Sequence, residues 1–307
     1  MITRLDRTLL TRRSFALLTT VAAADLVISP VLGAQMASDS PRRKIKKSLK
    51  LGMIEEGKTF EDKLTVAKNA GFHCVEPGTI YDRSTVEELR RASEKTGILV
   101  DAVVCDKHWS HPLSDPDPGK VDICVDSVRL SLENAKHLGG DMVLLVPAVV
   151  NEQVLYEQAY ERSMRVIREE IVPMATAMNI VVGIENVWNN FLLSPIEFRR
   201  YIEEIDSPHV RAWFDIGNVV AFGYPAGWIR TLGTLIARVD VKDFKGGPMV
   251  GGEFVPLRQG SVPWNDVMKA FDEIGYQGIF AAEVQGGKQD YLLEMVSKPM
   301  DLIIAEK

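Results

Sequence analysis

Short apolar runs alternate with longer amphipathic segments along this chain from residue 49 onward. Each run has five to eight residues and is nearly continuous in Val, Ile, Leu, Ala or Phe, which is typical of a strand buried on both faces of a parallel sheet. The eight runs are Leu49–Ile54, His73–Pro77, Ile98–Cys105, Met142–Val146, Ile180–Glu185, Val210–Asp215, Ala237–Val241 and Gly278–Glu283. The pattern therefore predicts eight buried strands.

Segments of helix length lie between these runs. Val121–Leu138 ends at two glycines, which stop helices, and the stretch Ser194 to Glu197 supplies a cap, a first-turn proline and an acid. Alternating strands and helices favour parallel pairing with right-handed crossovers, and eight such units in about 260 residues match a closed barrel. We therefore predict an α/β fold, a single-domain (β/α)8 TIM barrel. The alternative is a doubly wound open sheet, but no glycine-rich phosphate-binding turn follows the first run.

The beginning of the chain has a different character. Arg12 and Arg13 precede a mild apolar run that reaches Ala34, and this order of a charged start, an apolar middle and small residues is typical of a signal peptide. The paired arginines resemble the twin-arginine export signal. Asp25 and Pro30 interrupt the apolar run, which argues against a membrane-spanning anchor.

We accordingly predict a twin-arginine-type signal peptide over 1–36, a basic linker over 37–48 and the catalytic barrel over 49–307. The twin-arginine export machinery would be a partner of the precursor, and the mature protein would be periplasmic or otherwise exported.

Composition narrows the function further. The chain has 307 residues, of which 46% are hydrophobic and 25% charged, as in ordinary globular proteins. Its formal net charge of −6 disfavours a nucleic-acid partner, which would require a basic face. The three cysteines are too few and too scattered for a disulfide framework or a zinc-finger spacing.

Acidic residues stand at the ends of four consecutive predicted strands. Glu185, Asp215 and Glu283 end the fifth, sixth and eighth runs. In the seventh run, Asp240 points into the barrel mouth if the valines on either side of it face outward. Because active sites of such barrels lie at the carboxyl ends of the strands, the four carboxylates should converge there.

Four like charges in a small volume need a positive partner. An all-carboxylate set favours a hard divalent cation, Mn²⁺ first, with Mg²⁺ or Co²⁺ as alternatives. A single acid at a strand end is more often a helix cap or an ion-pair partner, but four at equivalent positions argue for a metal site. None of the five histidines falls at these strand ends, which disfavours a histidine-rich zinc cluster.

Four segments carry a family resemblance, and they are Gly183–Asn189, Trp213–Asn218, Val239–Asp243 and Ala282–Val284. They resemble the xylose-isomerase-like sugar isomerases and epimerases, which include the ketose 3-epimerases and hydroxypyruvate isomerase. The likeness extends from about residue 49 to the C-terminus and is strongest in the later half.

The resemblance implies that Glu185, Asp215 and Glu283 are metal ligands and that Glu185 and Glu283 also form the catalytic acid/base pair. The fourth metal ligand of the family is usually histidine, where this chain has Asp240. The expected reaction is isomerisation or epimerisation of a ketose or related sugar through a cis-enediolate intermediate. Barrel enzymes of this kind are often homo-oligomers.

Five further residues are candidates for binding the sugar substrate: His108, Trp188, Asn218, Lys242 and Arg258. Three of them, Lys242, Trp188 and Arg258, also have an alternative interpretation. Lys242 either holds a substrate oxygen or neutralises the neighbouring aspartates, and Trp188 is either a stacking platform or a core residue. Asn218 stands where a substrate-contacting histidine is common in the family, and Arg258 either binds substrate or is solvated.

Two rival functions use the same barrel. A metal-dependent lyase or hydrolase of 3-keto sugars or glycosides would share the enolising step. A catalytically silent sugar-binding barrel would keep the aromatic mouth and would not need the carboxylates. A metal-dependent nuclease is disfavoured by the acidic charge.

Overall fold

The computed structural model describes residues 43–306. The predicted signal peptide over 1–36 and the first part of the predicted linker lie outside the described residues. The strands are β1 Lys46–Lys50, β2 Cys74–Glu76, β3 Leu99–Val100, β4 Ala102–Val104, β5 Met142–Leu145, β6 Val181–Glu185, β7 Val210–Asp215, β8 Ile236–Val241, β9 Asp243–Gly247, β10 Gly251–Val255 and β11 Ile279–Ala282.

The helices follow the strands in the predicted alternation. They are α1 Phe60–Asn69, α2 Arg83–Thr96, α3 Pro118–Leu138, α4 Tyr156–Val166, α5 Val172–Met178, α6 Pro195–Ile205, α7 Ile216–Val220, α8 Pro225–Leu232, α9 Trp264–Glu273, α10 Gln289–Tyr291 and α11 Lys298–Ile304. Within residues 43–306, no helix is both long enough and apolar enough to cross a bilayer.

Nine parallel strands form a nearly closed sheet in the order β3-β2-β1-β11-β8-β7-β6-β5-β4. The two edge strands, β3 and β4, are parts of one chain segment that is interrupted at Asp101. A bridge between Gly78 and Val104 connects the β2 side directly to β4. The sheet therefore closes on itself through the third predicted run, which confirms the TIM-barrel prediction.

The start of the first strand was predicted too late. Strand β1 begins at Lys46, so the linker predicted to run to residue 48 ends earlier, and Leu51–Met53 forms a short helical turn. Lys47 is buried, and its ammonium donates to Ser297 Oγ at 2.7 Å and pairs with Asp301 at 2.6 Å. These contacts make the burial of its charge tolerable. A lysine whose charge is paired can belong to a buried strand, which the basic composition concealed.

Two separate cores lie on the two faces of the sheet. Outward side chains such as Val239 and Val241 pack with the helices in the larger core, which confirms the alternation predicted for the seventh run. Inside the barrel, Trp213 packs with Met142 and Leu144 and is fully buried. This apolar cluster fills only one side of the interior.

The other side of the barrel interior is charged. Arg238 contacts Asp101 at 3.3 Å and Asp141 at 2.7 Å, and Ser48 Oγ donates to Asp101 at 2.6 Å. The Trp213 indole lies close to two cations, with Lys50 Nζ 4.8 Å and the Arg238 guanidinium 5.7 Å from ring centroids. Cations at these distances are attracted to an indole, so Trp213 links the apolar and charged halves.

An antiparallel hairpin, β9–β10, follows β8 directly and extends the barrel mouth. Asp243 anchors its base by accepting hydrogen bonds from the backbone N–H groups of Gly260 and Val262 and from the Trp264 indole. A Cβ at Gly260 would lie 2.1 Å from Asp243 Oδ1, so only glycine fits there.

Replacing Gly183 with alanine should destabilise the barrel, because the added Cβ would lie 2.9 Å from Trp213 Cε3 and 3.0 Å from Trp213 Cβ. Overpacking of this kind costs about 1–3 kcal/mol. The measurement is the free energy of unfolding in urea. The control is Gly227→Ala at an exposed position of helix α8, where the added Cβ has no atom within 4 Å. Equal stability of Gly183→Ala and wild type would show that Trp213 is free to shift.

Candidate metal centre

The four acids predicted at the strand ends converge in the structure. Glu185, Asp215, Asp240 and Glu283 each place one carboxylate oxygen within 4.8 Å of the others. The strand register explains this, because Asp215 lies directly opposite Asp240 and Glu185 lies opposite Trp213. Glu283 immediately follows β11, which pairs with β8. Four adjacent strands therefore deliver one carboxylate each to the barrel mouth.

Asn186 fixes the two strand ends that carry Glu185 and Asp215. Its side-chain oxygen accepts from Asp215 N at 2.8 Å, and its amide donates to Asp215 O at 2.9 Å. Asp215 Oδ1 in turn accepts from Asn218 N at 2.7 Å and caps α7. Sequence reasoning missed Asn186, although an amide directly after a strand-end acid was an available signal.

Two lysines enter the cluster from different strands. Lys242 Nζ lies 3.0 Å from Asp215 Oδ2 and 2.9 Å from Glu283 Oε2. Lys50 Nζ, at the end of β1, lies 2.5 Å from Glu76 Oε2 and 2.9 Å from Asp240 Oδ1. Lys50 was not among the predicted site residues, although it ends the first strand as the acids end theirs.

The cluster carries an excess of negative charge. Two ammonium groups, those of Lys50 and Lys242, contact three of its four carboxylates, and Lys50 also contacts the carboxylate of Glu76. Glu185 forms no ion pair within residues 43–306. Burial, followed by the charge of Glu283, raises the pKa of Glu185 well above its usual range. The environment therefore resists placing a full negative charge on Glu185 unless a further cation is present.

The pKa of Glu283 is shifted the other way. Burial alone would raise it, but Lys242 and then Lys50 outweigh burial and lower the pKa of Glu283 well below its usual range. Its side chain is 40% exposed, so it faces the open mouth. Neighbouring carboxyl groups with opposite shifts are suited to acid and base roles.

The residues fit a divalent metal ion. Asp215 Oδ2 and Glu283 Oε2 are buried atoms that accept no hydrogen bond of normal geometry. Their neighbour within ion-pair distance is the Lys242 ammonium, at 3.0 and 2.9 Å, and each oxygen keeps a second lone pair that a further cation can use. Carboxylate oxygens are the donors that Mn²⁺ and Mg²⁺ prefer, and the grouping of Glu185, Asp215, Asp240 and Glu283 offers four of them.

The predicted substrate residues divide into those at the barrel mouth, Lys242 and Trp188, and those that are buried and bonded to the backbone, Asn218 and His108. Lys242 belongs to the cluster, and Trp188 is 47% exposed, donates its indole N–H to Asn218 O at 2.9 Å and stacks on Phe254. Asn218 is buried, and its amide donates to a backbone oxygen at 3.0 Å. His108 is buried, and its Nδ1 accepts from a backbone N–H at 3.2 Å.

The side chain of Arg258 does not contact the cluster. Its guanidinium pairs with Glu306 near the C-terminus. The alternative interpretation of Arg258 as a surface residue therefore describes its position better than substrate contact does.

An aromatic wall that sequence reasoning missed stands beside the carboxylates. Phe254, from β10, stacks on Trp188 with 5.0 Å between ring centroids, and Lys242 Nζ lies 5.3 Å from the Phe254 ring. A cavity of about 150 Å³ opens here between Lys242, Glu283, Phe254 and Tyr291. A small molecule in it would contact both charge and aromatic surface.

Comparison with known proteins agrees with this architecture. A family model described as a xylose isomerase-like TIM barrel matches residues 64–300. The chain is 26% identical over 186 residues to an uncharacterised protein of Methanocaldococcus jannaschii, covering 56% of this chain and 62% of that protein. It is 24% identical over 261 residues to an Escherichia coli protein named provisionally as an L-ribulose-5-phosphate 3-epimerase, covering 78% of this chain and 88% of that protein.

Solved structures share the fold. A D-psicose 3-epimerase from Clostridium cellulolyticum, crystallised with D-tagatose, matches with a TM-score of 0.70 and 16% identity. The match covers 86% of this chain and 100% of that one.

Glu185→Gln should reduce the pH sensitivity of the metal-free protein. A carboxyl group whose pKa is raised on folding contributes most stability below its unfolded pKa of about 4.5, and that stability is lost as the pH rises toward the folded value. Removing the ionisable group removes that loss. Thermal midpoints of chelator-treated protein between pH 5 and 8 provide the measurement, with exposed Glu152→Gln as the control. Parallel curves for Glu185→Gln and wild type would contradict the raised pKa.

The purified protein should hold about one divalent ion, since a single cluster of four carboxylates is present within residues 43–306. Asp215→Asn should lose most of this metal, because it removes one charged ligand from a buried site. Elemental analysis before and after chelation, with the thermal midpoint on adding Mn²⁺, tests both statements. Metal-free wild type without any Mn²⁺ response would exclude the site.

Proposed function

The chain belongs to the xylose isomerase-like TIM-barrel family, and from that premise we propose that it is a divalent-metal-dependent sugar isomerase or epimerase that acts on a ketose or a related sugar. The observation that carries the proposal is the convergence of Glu185, Asp215, Asp240 and Glu283 within 4.8 Å at the barrel mouth. A site of this kind suits proton transfer at the carbon beside a carbonyl group.

The two glutamates have the properties of a base and an acid. Glu283, which Lys242 and Lys50 keep ionised, is the group suited to remove a proton from the carbon next to the sugar carbonyl. Glu185, the other glutamate of the cluster, is the group suited to return a proton. Return to the opposite face of the same carbon gives epimerisation, and return to the neighbouring carbon gives isomerisation through the same cis-enediolate.

A bound divalent ion would supply polarisation of the carbonyl oxygen, which makes the adjacent C–H more acidic. The surrounding side chains would position the sugar. Lys242 lies between Asp215 and Glu283, so its main contribution is to hold these carboxylates in place. The stacked rings of Trp188 and Phe254 provide an apolar surface for the C–H face of a sugar.

Export of the mature protein is part of the same proposal. The paired arginines at 12 and 13 and the apolar run up to Ala34 support it. A periplasmic location would give the site access to sugars taken up from outside the cell.

Glu185→Gln and Glu283→Gln should each abolish sugar turnover while the barrel stays folded, because each removes one proton-transfer group. Loss of a positioned acid or base lowers the rate by about 10²–10⁴-fold. The measurement is deuterium incorporation by NMR when Mn²⁺-loaded protein is incubated in D₂O with free ketoses, sugar phosphates and 3-keto sugars. Circular dichroism of both variants confirms folding.

Glu88→Gln, on the exposed face of α2, is the matched control and should exchange as wild type does. Full activity in either site variant would contradict the two-glutamate mechanism. No exchange by wild type with any sugar would favour a sugar-binding barrel.

A further inference from the structure

Strand β1 ends in a cation that faces the acidic cluster. Lys50 Nζ lies 2.5 Å from Glu76 Oε2 and 2.9 and 3.0 Å from the two oxygens of Asp240. Its side chain is 15% exposed, and the ammonium lies 4.8 Å from the centroid of a Trp213 ring. Carboxylates and the indole therefore surround it.

We propose that Lys50 is the positioning residue of the metal centre, which holds Asp240 in place as the fourth ligand and thereby sets the affinity of the site for its cation. This inference rests on the metal site within the proposed function and is independent of which sugar reacts there.

The contacts of Lys50 leave it no free donor. An ammonium group has three N–H bonds, and three carboxylate oxygens, one of Glu76 and two of Asp240, lie within hydrogen-bond distance. Lys50 therefore does not hold a substrate oxygen while these bonds persist. Lys50 therefore acts on the carboxylates of Glu76 and Asp240 and not on a substrate.

Asp240 depends on this contact. Its side chain has no solvent exposure, and both of its side-chain hydrogen bonds within residues 43–306 come from Lys50. Without the ammonium, Asp240 would be a buried carboxylate near Glu76 and Glu283 with no fixed orientation. Bonding of both oxygens to one fixed cation sets the plane of the carboxylate before any metal arrives.

The two lysines serve opposite sides of the cluster. Lys242 contacts Asp215 and Glu283, while Lys50 contacts Asp240 and Glu76. Glu76, whose side chain has no solvent exposure, anchors Lys50 from the neighbouring strand. Because β1 pairs with β2 and with β11, which itself pairs with β8, the sheet sets the place of the Lys50 backbone relative to Asp240, and the carboxylates hold its ammonium.

A double-mutant cycle tests whether Lys50 acts through Asp240. Lys50→Met should weaken Mn²⁺ binding by about 10–100-fold, the usual effect of losing a residue that orients a ligand. In the Asp240→Asn background the same substitution should change affinity less than about 3-fold, since effects through a shared partner are not additive. Affinity is measured by titrating chelator-treated protein with Mn²⁺ and detecting free Mn²⁺ by electron paramagnetic resonance.

Two further variants complete the test. Lys50→Arg keeps the charge and should bind Mn²⁺ more tightly than Lys50→Met, and Lys269→Met, on the exposed face of α9, should match wild type. If Lys50→Met does not fold, the double variant Lys50→Gln/Glu76→Gln takes its place in the cycle. It removes the cation together with one of the acids that the cation neutralises.

The inference would be overturned if Lys50→Met weakened Mn²⁺ binding equally in the wild-type and Asp240→Asn backgrounds, or did not weaken it at all. Wild type that binds no Mn²⁺ would overturn it together with the metal site. A protein that binds Mn²⁺ with the expected coupling but exchanges no sugar proton would support the role of Lys50 and contradict only the proposed reaction.

Discussion

Electrostatic repulsion among carboxylates buried at the barrel mouth is the constraint on which the rest of the site depends. Glu185, Asp215, Asp240 and Glu283 lie within 4.8 Å of one another, and such a group is stable only if positive charge is placed among its members. The protein supplies Lys50 from the end of β1 and Lys242 from the position after β8, and these two strands lie on either side of β11. Burial raises the pKa of Glu185, Asp215 and Asp240 alike, and Glu185 is the one of the three that has no ion pair among the described residues. This incomplete compensation is what makes the cluster suited to a further cation.

Barrel geometry is what permits this concentration of charge. The outward valines of β8 belong to the core beneath the helices, so the alternate residues of the strand must point inward. The apolar half of the interior, around Trp213, provides packing, and the charged half connects Arg238 and Asp101 at one end to Lys50 and Asp240 at the other. A closed sheet keeps these groups out of water at fixed separations.

Local sequence patterns predicted the strands and the four converging acids, since a run of apolar residues and the acid at its end are read from neighbouring positions. The contacts of Lys50 were not accessible in this way. Lys50 and Asp240 are separated by 190 positions and meet because the last strand, β11, pairs with both β1 and β8. Phe254 was missed for a related reason, since its hairpin follows β8 without an intervening helix. The strand β1 begins earlier than predicted because the lysines at its start resembled those of a solvated linker.

The hairpin β9–β10 can change in sequence without changes in the strands that hold the charged cluster. Phe254 stands on β10, outside the barrel sheet, while Asp243 ties the base of the hairpin to a loop through Gly260. Substitutions along β10 can therefore alter the wall that a sugar would contact without moving the strands that hold the charges. A barrel arranged in this way can diverge in the surface it presents to a ligand while its charged cluster is inherited unchanged.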